Sequence, residues 1–225
     1  MNRAEWIKAR RRETEERYDK LWAPEYGEKW GKYPNATHLK FIEKFLSLLP
    51  PKSKVLDAAC GAGRYMPYLL ERGHAVLGID QAQEMLKKAQ AKFPSVKTEK
   101  IGLQEMTFHK EFDGAICMDA MEHVSPEDWP LVLRNFHRAL KPQAYLYFTV
   151  EIAGEQELRE VESAFKQGQA EGIPIIHGEC IDETVYHYYP SMEQVREWVR
   201  QARLTVIEEG EGDSYHHFLV RKEAE

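Results

Sequence analysis

The sequence predicts an α/β fold built on a parallel sheet with helices on both faces. Three observations predict it. Short apolar runs alternate with helical stretches from Lys54 to Val150; each crossover between parallel strands lays a helix over the sheet, so the strands are buried on both sides. A glycine-rich loop lies between the first of these strands and the first of these helices, and a helix followed by two more strands closes the chain at 191–222.

Taken in order, Ala4 to Lys20 lacks Gly and Pro and reads as a helix whose basic cluster, Lys8 and Arg10 to Arg12, is followed at once by Glu13, Glu15 and Glu16. That alternation of sign is expected of a solvated helix. Pro24, Gly27, Gly31 and Pro34 then break the chain into turns. Asn35 to Leu48 carries apolar residues at three- and four-residue spacing and predicts a second helix, which Pro50-Pro51 ends. Strands are expected at Lys54–Ala58, Ala75–Ile79, Val96–Ile101, Phe112–Met118 and Ala144–Val150, and helices at Arg64–Arg72, Gln81–Lys92 and Pro126–Leu140. Beyond Glu151 the pattern predicts an inserted helix at Gly154–Ala170 and an irregular stretch at Gly172–Tyr189. A helix at Ser191–Ala202 with Ser191 as N-cap follows, then strands at Leu204–Glu209 and His216–Arg221 around a Gly210–Asp213 turn.

The composition excludes several classes. With 43% hydrophobic and 30% charged residues over 225 positions, the chain is globular and large enough for one substantial core. Its longest apolar run, Ala144 to Val150, is far short of the ~18 residues of a membrane span. The amino terminus lacks the apolar core of a secretory signal, so a cytoplasmic protein is expected. Cys60, Cys117 and Cys180 have no knuckle spacing, which fits reduced thiols and no metal. Residues 1–150 carry 24 basic and 20 acidic groups and residues 151–225 carry 7 and 17; phosphate recognition needs an excess of Lys and Arg, so no nucleic-acid partner is expected.

The sharpest motif is Val55-Leu56-Asp57-Ala58-Ala59-Cys60-Gly61-Ala62-Gly63-Arg64. A loop of this kind lets a ligand approach the backbone and offers the amides of the helix start. Asp80 ends the next strand, where a carboxylate accepts hydrogen bonds from a ribose diol. A dinucleotide fingerprint is incomplete, because Met66 stands at the third glycine position counted from Gly61. Asp57 beside the loop is a poor neighbour for a pyrophosphate and suits a ligand carrying an ammonium group.

These residues resemble the class I S-adenosylmethionine-dependent methyltransferases over about Val55 to Val150. The resemblance implies a Rossmann-like, doubly wound, mostly parallel seven-stranded sheet with an antiparallel last strand. It also implies one methyltransferase domain over 1–225: a helical lid segment (1–50), a cofactor-binding half (51–150), a substrate-side insertion after strand five (151–190), and a closing helix and hairpin (191–225). The implied cofactor is S-adenosyl-L-methionine, leaving S-adenosyl-L-homocysteine. By the family pattern Asp57, Ala59, Gly61 and Gly63 meet its methionine part, with Ala59 standing where the family has its first glycine. Asp80, with Gln81 and Met85 after it, meets the ribose side; Leu103 and Gln104 meet the adenine; and Met118 and Asp119 face the cofactor from strand four.

Methyl transfer from a sulfonium needs an aligned acceptor and a dry site, with a general base only for a hydroxyl or protonated amine acceptor. His123 and His177 are the candidate catalytic residues, and each could equally be structural. Tyr18, Trp22, Tyr26, Trp30 and Tyr33, with His187 and Tyr188, are the candidate substrate-binding residues; the alternative for the aromatics is simple burial of area. Cys60 reads as cofactor wall rather than nucleophile. His216 and His217 read as structural. The expected activity is methyl transfer to O or N of a small-molecule acceptor by a monomer or homodimer without membrane partners. The alternatives are an NAD-type oxidoreductase or epimerase and a non-catalytic S-adenosylmethionine-binding protein.

Overall fold

A computed structural model describes residues 1–29, 35–182 and 185–224. The central sheet is formed by β1 (Lys54–Ala58), β2 (Ala75–Asp80), β3 (Lys97–Lys100), β4 (Phe112–Cys117), β5 (Leu140–Glu151), β8 (Leu204–Gly212) and β9 (Tyr215–Lys222), in the spatial order β3-β2-β1-β4-β5-β9-β8. The first five run parallel, and β9 is antiparallel to both β5 and β8. Strand order therefore reverses between β1 and β4, and at such a switch point a crevice opens at the carboxyl ends of the strands.

Burial explains which strands occupy the centre. β1 and β4 are apolar and almost wholly buried, whereas β3 reads Lys97-Thr98-Glu99-Lys100 and forms an edge whose charges blunt further pairing. On one face, α6 (Trp129–Ala139) and α8 (Met192–Gln201) pack Trp129 against Trp198 at 5.2 Å and 23°. On the other, α3 (Ala36–Leu48) buries Phe41, Ile42, Phe45 and Leu46, and α4 (Met66–Glu71) and α5 (Gln83–Lys92) follow β1 and β2. Asn35 caps α3 and Ser191 caps α8 through their side chains.

Four local expectations are corrected. The stretch 172–189 is not wholly irregular: β6 (Glu179–Asp182) and β7 (Val185–Tyr188) form a separate antiparallel ribbon after α7 (Glu155–Glu171). The closing turn falls on Asp213 and Ser214, both at positive φ (57° and 67°), and not on the glycines. Gly212 stays in β8 because α3 crosses it closely, and an added Cβ would lie 2.2 Å from Thr37 Oγ1. α6 begins at Trp129, with Pro130 in its first turn, because Pro126 sits in the preceding turn. Finally, α1 (Arg3–Arg17) is not a solvated helix throughout, since Trp6 and Thr14 are buried.

α1 passes through a π-helical turn at Tyr18–Trp22 into α2 (Ala23–Lys29) and crosses the carboxyl end of the sheet. Its start is clasped to the β6–β7 ribbon: Arg3 binds the buried Glu179 carboxylate at 2.5 and 2.7 Å and Glu127 at 2.8 Å, and Tyr186 Oη donates to Glu179 at 2.5 Å. Trp6 packs on Ile175 and Tyr186. The two segments least like a parallel α/β core thus form one roof. No helix among the described residues is long and apolar enough to cross a membrane.

Candidate active site

Under that roof lies a cavity of about 270 Å³ at the switch point. It is lined by Tyr18, Trp22 and Tyr26 from the roof, Ala59 and Gly61 after β1, and Asp80, Gln81 and Met85 after β2. Leu103 and Gln104 follow β3; Met118, Asp119 and His123 follow β4; and His187 comes from β7. All fourteen belong to the residues expected from sequence. Asp57, Gly63, His177 and Tyr188 are not on the wall, and Trp30 and Tyr33 lie outside the described residues.

The loop after β1 is held in left-handed geometry at Ala59 (φ 55°), Gly61 (51°) and Gly63 (78°). A side chain at Ala59 therefore carries backbone strain that glycine would not. The Gly61 amide donates to Asp80 Oδ2 and the Ala82 amide to Oδ1, both at 2.8 Å, so both loops are referenced to one carboxylate. Burial pushes Asp80 up to about 6, partly offset by these amide bonds. Gly63 is required for packing instead: a Cβ there would come within 2.9 Å of Met66 Sδ and Phe93. Asp57 lies behind the loop, 2% exposed, with Oδ2 lacking a hydrogen-bond partner. Burial, aided by the Asp80 charge, raises it to about 8. Cys60 is a wall residue whose thiol burial pushes well above its ordinary value, so it is unreactive.

Asp119 is an organising centre. It sits at φ 52°, and its carboxylate meets His38 Nε2 at 2.6 Å, Tyr65 Oη at 2.8 Å and Arg64 Nη1 at 3.1 Å. Burial would raise this group, but those partners outweigh burial and hold it below the ordinary carboxylate range. Gln104 turns its amide to Asp128 at 3.3 Å.

His123 is fixed on both ring nitrogens. Nδ1 lies 2.9 Å from the Tyr186 carbonyl, which can only accept, so Nδ1 carries the proton and Nε2 accepts from Tyr18 Oη at 2.9 Å. Burial, with the nearby His187, depresses it to about 3. It is thus neutral, with its one ring lone pair occupied by the Tyr18 hydroxyl. His177 is largely exposed, 4.0 Å from Glu162, outside the cavity because the turn before β6 points it to solvent. Tyr188 packs toward Trp198 and the core.

Sequence reasoning missed Arg11 and Thr14 of α1, Arg64 and Tyr65 after the loop, Glu122, Glu151 and Tyr215. Glu151 ends β5 and follows the same carboxyl-end rule that selected Asp80. Tyr215 escapes that rule because β9 runs backwards: its first residue pairs with Glu151. Among the described residues no group of three or more His, Cys, Asp or Glu is arranged to hold a metal ion.

Residues 55–143 match the family model described as a methyltransferase domain. That match supports a class I S-adenosylmethionine-dependent methyltransferase domain over this part of the chain. The chain is 32% identical over 139 residues to the putative methyltransferase YqeM of Bacillus subtilis, a match covering 59% of this chain and 52% of that protein, so it spans about half of that relative's length. An S-adenosylmethionine-dependent methyltransferase from Methanosarcina mazei shares the fold at TM-score 0.67 and 19% identity, covering 82% of this chain and 98% of that one. A Burkholderia thailandensis 1,6-didemethyltoxoflavin N1-methyltransferase, solved with its substrate and S-adenosylhomocysteine, aligns at TM-score 0.61 and 18% identity over 98% of this chain and 88% of its own. The methyltransferase cofactor S-adenosylmethionine is matched by the donor set here: an orphaned buried carboxylate oxygen on Asp57, the two-oxygen acceptor Asp80, and a glycine-lined cradle between them.

Proposed function

We propose that this chain transfers a methyl group from S-adenosylmethionine to an oxygen or nitrogen of a small-molecule acceptor. The observation that carries the reading is the roofed cavity at the β1/β4 switch point, with Asp80 at the end of β2 bridging its two cofactor-side loops. S-adenosylmethionine supplies a methyl group made electrophilic by its sulfonium.

The residues divide the work by position. Asp80 holds the ribose hydroxyls, and Gln81 and Met85 close that side. Leu103, with Gln104 beside it, packs on the adenine, and Met118 forms the apolar floor. Gly61 lets the methionine part approach the backbone, and Asp57 behind the loop gives up its proton and becomes negative as the ammonium of that part arrives. Tyr18, Trp22 and Tyr26 exclude water, and the Tyr18–His123 hydrogen bond fixes the roof over the acceptor side. Water exclusion and alignment are what an in-line displacement asks of a protein. The acidic carboxy-terminal third and the small roofed volume support a small acceptor over a nucleic acid.

Isothermal titration with S-adenosylhomocysteine, with NAD as parallel titrant, tests the reading. Micromolar or tighter binding of the first alone is expected, weakened about tenfold or more in Asp80→Ala, since two charge-assisted hydrogen bonds are lost. Binding of NAD alone, or unchanged affinity in Asp80→Ala, would overturn it.

A further inference from the structure

The reaction assigned above leaves two carboxylates on the cavity wall without a task, one buried and one half-buried. Glu122, in the short helical turn after β4, is 4% exposed, lines the cavity and has an Oε2 with no hydrogen-bond partner. Glu151, at the end of β5, lines the same cavity and accepts a hydrogen bond from Tyr189; its Oε2 lacks a hydrogen-bond partner and lies 3.9 Å from His187 Nε2. An unpaired carboxylate in such a place costs stability unless something of opposite charge meets it.

The cavity does not supply that charge. Among the described residues no lysine lines it, and its two arginines meet other carboxylates, Arg64 meeting Asp119 at 3.1 Å and Arg11 meeting Glu105 at 3.7 Å. His123 is neutral, fixed between Tyr186 and Tyr18. The rings of Tyr18, Trp22 and Tyr215 line the same cavity, and aromatic faces attract a cation. We infer that the Glu122–Glu151 end of the cavity, roofed by Tyr18, Trp22 and Tyr215, selects an amine as the methyl acceptor, admitted as its ammonium form. This rests on the methyltransferase reading and narrows its acceptor to nitrogen.

The proton balance follows from the same groups. An ammonium has no lone pair, so one N–H proton passes to a carboxylate oxygen, with Glu151, less buried than Glu122, as the acceptor; nitrogen then bonds the methyl carbon as the C–S bond breaks and its electron pair returns to sulfur, leaving S-adenosylhomocysteine. Glu122 faces Glu151, Asp119, Tyr18, Tyr189, Tyr215 and Cys117, none of them cationic, and in this setting burial holds it well above the ordinary carboxylate range. An arriving ammonium favours the charged form of Glu122 and so draws off the proton that burial keeps on it.

The test is calorimetric, on the full chain saturated with S-adenosylhomocysteine. The probes are benzylamine, phenethylamine and N-methylphenethylamine, each against its isosteric alcohol or ether, in buffers of different ionisation enthalpy. Expected are a preference of about tenfold to hundredfold for the amine, the range of one charge-assisted contact, and net proton release on binding. Glu122→Gln, close to isosteric and so compatible with the fold, should erase both the preference and the release. Equal binding of the neutral partners, no amine binding, or a preference that survives in Glu122→Gln would overturn the inference. Failure of S-adenosylhomocysteine itself to bind would instead overturn the methyltransferase reading.

Discussion

At the scale of single residues, the site is governed by what burial does to charge. His123 shows it most clearly: from sequence it is a candidate base or equally a structural residue, and its two hydrogen bonds and its burial leave it neutral with its lone pair taken by Tyr18. Its imidazole should show no titration between pH 5 and 8 in ¹⁵N NMR, its value lying at about 3, and a titration centred near 6.5 would contradict the geometry. Asp80 and Gly61 lie on the cavity wall where the sequence expects them because their place is tied to a local strand–loop–helix pattern. Glu122 was not legible, since nothing in Met121-Glu122-His123 tells which neighbour turns inward on a one-turn helix. Gly63 was misread for a related reason: a glycine demanded by Met66 and Phe93 looks the same in sequence as one demanded by a ligand.

At the scale of elements, the parallel core from β1 to β5 was legible because all its strands except the charged edge β3 are largely apolar runs punctuated by glycine and proline. The roof was not. The β6–β7 ribbon owes its place to contacts with distant residues, Arg3 to Glu179 and Trp6 to Tyr186, which leave no periodic trace in 172–189. The π-helical turn at Tyr18–Trp22 is equally silent in sequence, yet such turns gather at functional sites because they re-aim side chains. Here it places Tyr18 against His123 while Trp22 meets Tyr18 edge-on at 4.7 Å. The same ribbon supplies the carbonyl that fixes His123, so the lid and the insertion act on the site as one unit.

At the scale of the whole molecule, stability and function pull in opposite directions. Asp57 is raised to about 8 and Glu122 well above its ordinary value, so above pH 6.5 the folded state holds protons that the unfolded chain has already released. The unfolding free energy must then fall as pH rises. The depressed histidines His123 and His217, at about 3 and 4, act in the other sense, but their contribution is complete once the pH passes the unfolded value near 6.5. Urea unfolding between pH 6.5 and 8 should show a loss on the order of 1 kcal/mol per pH unit. A flat or rising profile would contradict the burial of these acids. The same unpaired carboxylates that cost the ligand-free protein stability are those that cationic ligands would satisfy.

The central claim is that the switch-point cavity holds the cofactor against Asp80 and leaves the Glu122–Glu151 end for the acceptor. The most direct measurement is a crystal structure of the complex with S-adenosylhomocysteine. The account predicts ribose hydroxyls on the Asp80 carboxylate, adenine against Leu103, the amino group on the Asp57 side of the loop and the sulfur facing the Tyr18–Glu122 end. A ligand bound outside the roofed cavity, or inside it with Asp80 unengaged, would contradict the account.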